Sequence, residues 1–171
     1  MLSLMKNSDR SIFSKSGIVT TVLIIEDNEG DVEILRDAFE QCDLNSIQHV
    51  VNDGERALDF LLKRNGFDKH PSPDVIILDL HMPRVDGLQV LESLKSRGVL
   101  KDIPIIVFTG KLDQERRESL KKHNISRAVE KPYTIDGYGA LVKIVAGILK
   151  EKDGPPQHEM WPSESLVKAV S

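Results

Sequence analysis

The chain has 171 residues, 40% of them hydrophobic and 29% charged, with a formal net charge of -4. That length suits one well-buried core rather than two domains, and the composition is that of an ordinary soluble protein. The acidic balance, with a pI near 5.7, gives no footprint for nucleic acid, and no apolar stretch reaches the roughly 20 residues of a membrane span.

The first eighteen residues carry Lys6, Asp9, Arg10 and Lys15 without a long apolar run. This argues against a secretory signal peptide and for a cytoplasmic protein. Residues 1–18 are expected to form a flexible extension, residues 19–150 a folded domain, and residues 151–171 a flexible tail. Thr21 to Ile25 reads as a buried strand, followed by the turn Glu26-Asp27-Asn28-Glu29-Gly30. Val32, Leu35 and Phe39 then fall on one helical face. Cys42 is the lone cysteine; it has no disulfide partner and is expected to act as a small apolar filler on the first helix.

Ile47 to Val51 is the second strand candidate. Asn52-Asp53-Gly54 is turn chemistry, and Ala57, Leu58, Leu61 and Leu62 follow at helical spacing. Asn65 to Pro73 is rich in Gly and Pro and reads as a surface loop. Val75 to Leu78 is the third strand; Leu88, Leu91 and Leu94 mark the third helix, with Gly98 as its stop. Ile103 to Phe108 is the fourth strand, and Asp113 is placed to cap a charged helix ending near His123. Ala128-Val129 is the fifth strand.

A last helix from about Ile135 to Lys150 spreads its apolar residues over roughly 160° of arc, wider than the usual core stripe of about 100°. Either part of that face meets a partner or the helix is sunk deeply in its own core. Gly154-Pro155-Pro156 should break it. Trp161 to Ser171 reads as a frayed terminus, with a short docking helix as the alternative.

Alternating strands and helices with short connections imply a parallel α/β sheet. In such sheets chemistry gathers beyond the carboxyl ends of the strands, where Glu26-Asp27, Asp79, Thr109 and Lys131 all fall. Asp79 can act as a nucleophile toward a phosphoryl group. Glu26, Asp27 and Asp79 make an oxygen site suited to Mg²⁺, which would neutralise charge on the transferring group. Lys131 offers a point positive charge and Thr109 a hydroxyl donor. Taken singly, the acids could be helix or turn caps and Thr109 and Lys131 ordinary loop residues; the pattern as a whole is more specific. His49, His70, His123 and His158 show no metal-site spacing that would recruit His81 to zinc.

The chain resembles the receiver domain of two-component response regulators from about Thr21 to about Leu149. The residues that carry the likeness are Ile25-Glu26-Asp27-Asn28, Leu78-Asp79-Leu80-His81-Met82-Pro83 with Asp86-Gly87, Phe108-Thr109-Gly110 and Glu130-Lys131-Pro132. It is similar in particular to the stand-alone receivers that serve bacterial phytochrome-type histidine kinases, through residues 26–31, residues 52–61 and the long loop before the third strand. The resemblance implies a flavodoxin-like, five-stranded parallel sheet of order 2-1-3-4-5 with helices on both faces. It implies that Asp79 accepts phosphate from a histidine kinase or phosphotransfer protein. Asp27, Asp79 and the backbone carbonyl of His81 would ligate Mg²⁺, with Glu26 acting through water. Thr109 and Lys131 would bind the phosphoryl group, and Pro132 would follow a cis peptide bond.

Three positions depart from the family or modulate it. Ala128 stands where many receivers carry the aromatic ring that swings inward on activation. His81 and Lys111 occupy positions that influence attack of water on the phosphoaspartate, which implies an altered phosphate lifetime. The expected function is a single-domain, non-enzymatic response regulator signalling through phosphorylation-dependent protein contacts, the contact being either self-association as a homodimer through the last helix or docking on a kinase, a phosphotransfer protein or another target. The alternatives are an unphosphorylated scaffold and a Mg²⁺-dependent aspartyl phosphohydrolase. The latter class places a second Asp two residues after the first, where this chain has His81.

Overall fold

A computed structural model describes residues 19–42, 44–98 and 102–152. The chain alternates β1 (Thr20–Ile25), α1 (Glu29–Gln41), β2 (Ser46–Val51), α2 (Gly54–Leu61), β3 (Val75–Leu78), α3 (Gly87–Ser96), β4 (Ile105–Thr109), α4 (Gln114–Leu120), β5 (Arg127–Glu130) and α5 (Asp136–Lys152). All neighbouring strands are parallel and the sheet order is β2-β1-β3-β4-β5, the flavodoxin-like arrangement the sequence predicts. The expected N-terminal extension, the Gly-Pro-Pro break and the segment from Trp161 to Ser171 lie outside the described residues.

Alternation along the central strands divides the core in two. Leu23, Ile25, Ile76, Leu78 and Val107 face α2, α3 and α4, packing on Phe60, Leu91 and Leu94. Val22, Ile24, Ile77, Ile106 and Phe108 face α1 and α5, packing on Leu35, Phe39, Tyr138 and Val142. Burial on both faces explains why these strands read as continuous apolar runs rather than alternating ones. Cys42 is half-buried and packs at the edge of the second cluster, consistent with a filler.

Each of the first four helices starts on a side-chain cap that satisfies otherwise orphaned N–H groups. Asn28 accepts from Gly30 and Asp31, Asp53 from Arg56, Asp86 from Gln89 in a capping box, and Asp113 from Arg116. Boundaries shift slightly from the sequence reading. The fourth strand begins at Ile105, after Pro104, which has no N–H to donate. The fourth helix ends at Leu120, and residues 121–123 form a turn. The wide apolar stripe of α5 is largely absorbed by its own core: Tyr138, Leu141, Val142, Val145 and Ala146 are buried, while Ile144, Ile148 and Leu149 pack against that cluster. Every peptide bond among the described residues is trans, so the cis bond expected before Pro132 is not present. Trans is the intrinsically favoured X-Pro form by about 0.5–1 kcal/mol.

The long loop before β3 is more organised than its Gly/Pro content suggests. Lys63, Asn65 and Gly66 take positive φ values of 55°, 49° and 94°, turning the chain back so that Phe67 and His70 pack on Phe60, each with ring centroids 5.3 Å away. His49 of β2 stacks at 5.4 Å on the same Phe60. Burial, with nearby His70 and Lys63, holds the His49 pKa below its ordinary value.

Two measurements test this packing. At Gly87 a Cβ would lie 2.5 Å from the Asp79 carbonyl oxygen and 2.8 Å from the Leu80 Cα, whereas at Gly147 it would meet nothing. In urea unfolding, Gly87→Ala should lose about 1–3 kcal/mol, and Gly147→Ala should gain up to about 1 kcal/mol from helix propensity. The depressed His49 pKa means that the folded state resists protonation there. Its contribution is complete above the unfolded-state pKa and declines as pH falls through the interval below it. His49→Gln should therefore unfold less steeply with acid than the wild type over that interval.

Candidate functional site

The strand register brings the singled-out residues to one edge of the sheet. Ile25 pairs with both Val51 and Leu78, and Thr109 pairs with Glu130. The backbone ladder continues one residue beyond the strand ends: Glu26 N–H donates to Val51 O at 3.0 Å, Asp79 N–H to Ile25 O at 2.9 Å and Lys131 N–H to Thr109 O at 2.8 Å. The main chain of three site residues is thus fixed by the sheet itself.

Their side chains meet at the Lys131 ammonium. Nζ donates to Asp79 Oδ2 at 2.7 Å, Glu26 Oε2 at 2.7 Å and Asp31 Oδ2 at 2.9 Å. Glu26, Asp79 and Thr109 are buried, while Asp27 is exposed. The other Asp79 oxygen accepts from the His81 N–H at 3.0 Å. The His81 ring Nδ1 lies 2.9 Å from the Thr109 hydroxyl, and Lys111 is exposed on the following loop. Neither Glu26 nor Asp79 is a helix cap, since Asn28 caps α1 and Asp86 caps α3, but each also caps a local turn, Glu26 accepting from the Asn28 N–H and Asp79 from the His81 N–H.

Burial acts against the Lys131 charge, but its hydrogen bonds to Asp31, Asp79 and Glu26 outweigh that and push its pKa up. Burial also dominates at Glu26 and, despite the ammonium, lifts its pKa to about 7. Asp31 goes the other way: burial would raise its pKa, yet the bonds from Lys131 and Tyr138 hold it below the usual carboxylate range.

Carboxylate oxygens of Glu26, Asp27 and Asp79 lie within 4.8 Å of one another. Ligands about 2.1 Å from a Mg²⁺ ion stand up to about 4.2 Å apart, so a modest closure would let this donor set hold a divalent cation. Such an ion supplies charge neutralisation to a phosphoryl group. A pocket of about 510 Å³ lined by Glu26, Asp27, Arg36 and Arg56 opens beside the carboxylates.

Two participants escaped the sequence reading. Asp31, in the first turn of α1, counted there only as part of a family likeness; as one more acid in a first helical turn it carried no distinguishing signal. Tyr138 counted only as part of the α5 apolar stripe. Its hydroxyl donates to Asp31 Oδ1 at 2.6 Å, and burial and that carboxylate push its own pKa up.

Sheet order and an acid pocket at the carboxyl edge are the marks of a receiver of two-component signalling. The family model of the response regulator receiver domain matches residues 22–143, and the chain belongs to that family. Response regulator Rcp1 of Synechocystis sp. is 31% identical over 88 residues, covering 52% of this chain and 60% of that protein. Among solved structures, the bacteriophytochrome response regulator RtBRR is 30% identical with a TM-score of 0.63, covering 84% of this chain and 82% of its own. The Mn²⁺-bound form of Rcp1, at 22% identity, shares the fold, with a TM-score of 0.70 over 81% of this chain and 99% of its own. The likeness to phytochrome-associated receivers noted in the sequence is therefore present in the relatives. No helix among the described residues is long and apolar enough to cross a membrane.

The Glu26 pKa sets a pH dependence for cation binding. Above about 7 the carboxyl is charged, and below it a bound proton opposes the cation. Mn²⁺ affinity, followed by its paramagnetic resonance, should fall as pH drops through 7 in the wild type and change less in Glu26→Gln.

Proposed function

We propose that this receiver accepts a phosphoryl group on Asp79 from a phosphohistidine of a histidine kinase or phosphotransfer protein, in a Mg²⁺-dependent reaction, and signals through phosphorylation-dependent protein contacts. The observation that carries the reading is the meeting of Lys131 with Asp79 and Glu26 at 2.7 Å each, beside a carboxylate trio able to hold a cation. A bacteriophytochrome response regulator among the relatives supports a phytochrome-type kinase as the donor.

In the transfer, an Asp79 carboxylate oxygen attacks phosphorus, the P–N bond to the donor imidazole breaks, and the imidazole leaves with the bonding pair and takes up a proton. Asp27, Asp79 and the His81 carbonyl would hold Mg²⁺, with Glu26 assisting through water. Lys131 and the Thr109 hydroxyl stabilise the phosphoryl oxygens. His81, already on the Thr109 hydroxyl, governs how freely that group turns to them. Residues 19–150 form the receiver.

Acetyl phosphate with Mg²⁺ should label the wild type stoichiometrically and leave Asp79→Asn unlabelled. Continuous release of phosphate would favour a hydrolase, and absence of labelling a scaffold. His81→Asn should change the decay rate of the phosphoprotein, whereas Lys111→Ala, whose lysine is exposed, should change it less; equal rates in all three chains would refute a role for His81. Because the stripe of α5 is occupied within the chain, beryllofluoride should leave the elution volume on size exclusion unchanged. A shift to a dimer would instead support self-association through α5.

A further inference from the structure

Lys131 has three N–H donors, and all three are engaged by Asp79, Glu26 and Asp31. A phosphoryl group on Asp79 brings new acceptor oxygens and more negative charge, so the ammonium must give up an existing bond to reach it. With the phosphoryl group on Oδ2, the donor now on Asp79 passes to it, and a second contact of the ammonium with the phosphoryl oxygens has to draw on Glu26 or Asp31. Glu26 is a poor candidate for release, being 2% exposed, and stripping a buried carboxylate of its counter-charge is costly. Asp31 is different. Its side chain is 19% exposed, and its second oxygen keeps a 2.6 Å bond from Tyr138.

We propose that Asp31 is the partner Lys131 releases when Asp79 carries a phosphoryl group, and that Tyr138, which shares the Asp31 carboxylate, conveys that release to α5. The inference rests on the phosphoacceptor reading of Asp79. Asp31 acts as a positioning residue, an internal anion competing with the phosphoryl group for one ammonium. Tyr138 is well placed as the reader. It is 4% exposed and sits in the first turn of α5. Its ring meets Phe108, the residue before Thr109, edge to face at 5.3 Å. Its neighbour Gly137 is packed so closely on the Pro132 ring that no side chain fits there. The residues after Lys131 and the start of α5 therefore form one packed unit, joined to α1 through Asp31.

The test uses the full chain carrying Tyr133→Phe and ¹³Cζ-labelled tyrosine, which leaves Tyr138 as the one labelled ring of the two tyrosines. With Mg²⁺ and beryllofluoride, ¹⁹F resonances of the bound fluoride report occupancy of Asp79 and the Tyr138 Cζ shift reports its hydrogen bond. The Cζ resonance should move on saturation. A bound fluoride signal with a stationary Cζ overturns this inference alone, and no bound fluoride overturns the phosphoacceptor reading and this inference with it. Affinities give a second arm. Asp31→Asn, which weakens the competitor, should tighten beryllofluoride roughly three- to tenfold, the scale of one hydrogen bond. Tyr138→Phe, which leaves Asp31 more dependent on Lys131, should loosen it by a similar factor. In the Asp31→Asn background, Tyr138→Phe should have little effect. Loosening by both single variants, as general structural damage would produce, overturns the proposal.

Discussion

One ammonium faces three carboxylates in a largely water-excluded pocket, and the behaviour of the site follows from that imbalance. Lys131 neutralises at most one of the charges on Glu26, Asp31 and Asp79, and Asp27 adds a fourth acid at the rim. Burial, with a smaller contribution from the charge of Asp79, raises the Glu26 pKa to about 7 despite Lys131, since burial disfavours the charged carboxylate. A divalent cation relieves the excess of negative charge. Affinity for such an ion and resistance to burying another anion are therefore two aspects of one charge distribution.

The sheet makes so crowded an arrangement stable. Parallel pairing sends every strand toward the same edge, and the ladder bonds to Glu26, Asp79 and Lys131 fix the backbone from which the charges project. The helices contribute through their starts. Gly87 lets α3 begin directly against the Asp79 carbonyl. Asp53, capping α2, also pairs with Arg84 at 2.9 Å, so the loop after Asp79 is tied to the start of α2. These contacts restrict the freedom of the Asp79 backbone and of the loop that follows it.

Fold and strand-end chemistry were legible in the sequence because both arise from short, strong signals. Buried parallel strands need unbroken β-branched runs, and polar residues directly after such runs can only lie at the sheet edge. The helix cap at Asp113 was visible for the same local reason, whereas Asp53 read only as part of a turn and Asp86 only as part of a family motif. What escaped depends on side chains meeting across long separations. Asp31 looks like any acid favoured in a first helical turn, and Tyr138 like one more apolar contact, because its hydroxyl acquires meaning only when α1 and α5 pack together. Width of the α5 stripe was legible, but not what covers it, since an amphipathic pattern measures apolar surface and does not name the surface opposite. The trans bond before Pro132 likewise depends on a small conformational preference that no residue pattern encodes.

The two faces of the sheet also separate Ala128 from the pair Phe108 and Tyr138. Ala128 pairs with Val107 and packs on the side of α2, α3 and α4, where a methyl group has little to move. Phe108 and Tyr138 lie on the opposite side, with α1 and α5. Thr109 ends β4 and Lys131 follows β5, strands that pass between both layers, so a change in either can be read from one face or the other. Large, buried, hydrogen-bonded groups have discrete alternative positions, whereas a lone methyl group does not, and in packed interiors discrete alternatives are what convert a small local displacement into a change of state. In this chain Tyr138, buried and hydrogen-bonded to Asp31, is such a group on the α1–α5 face.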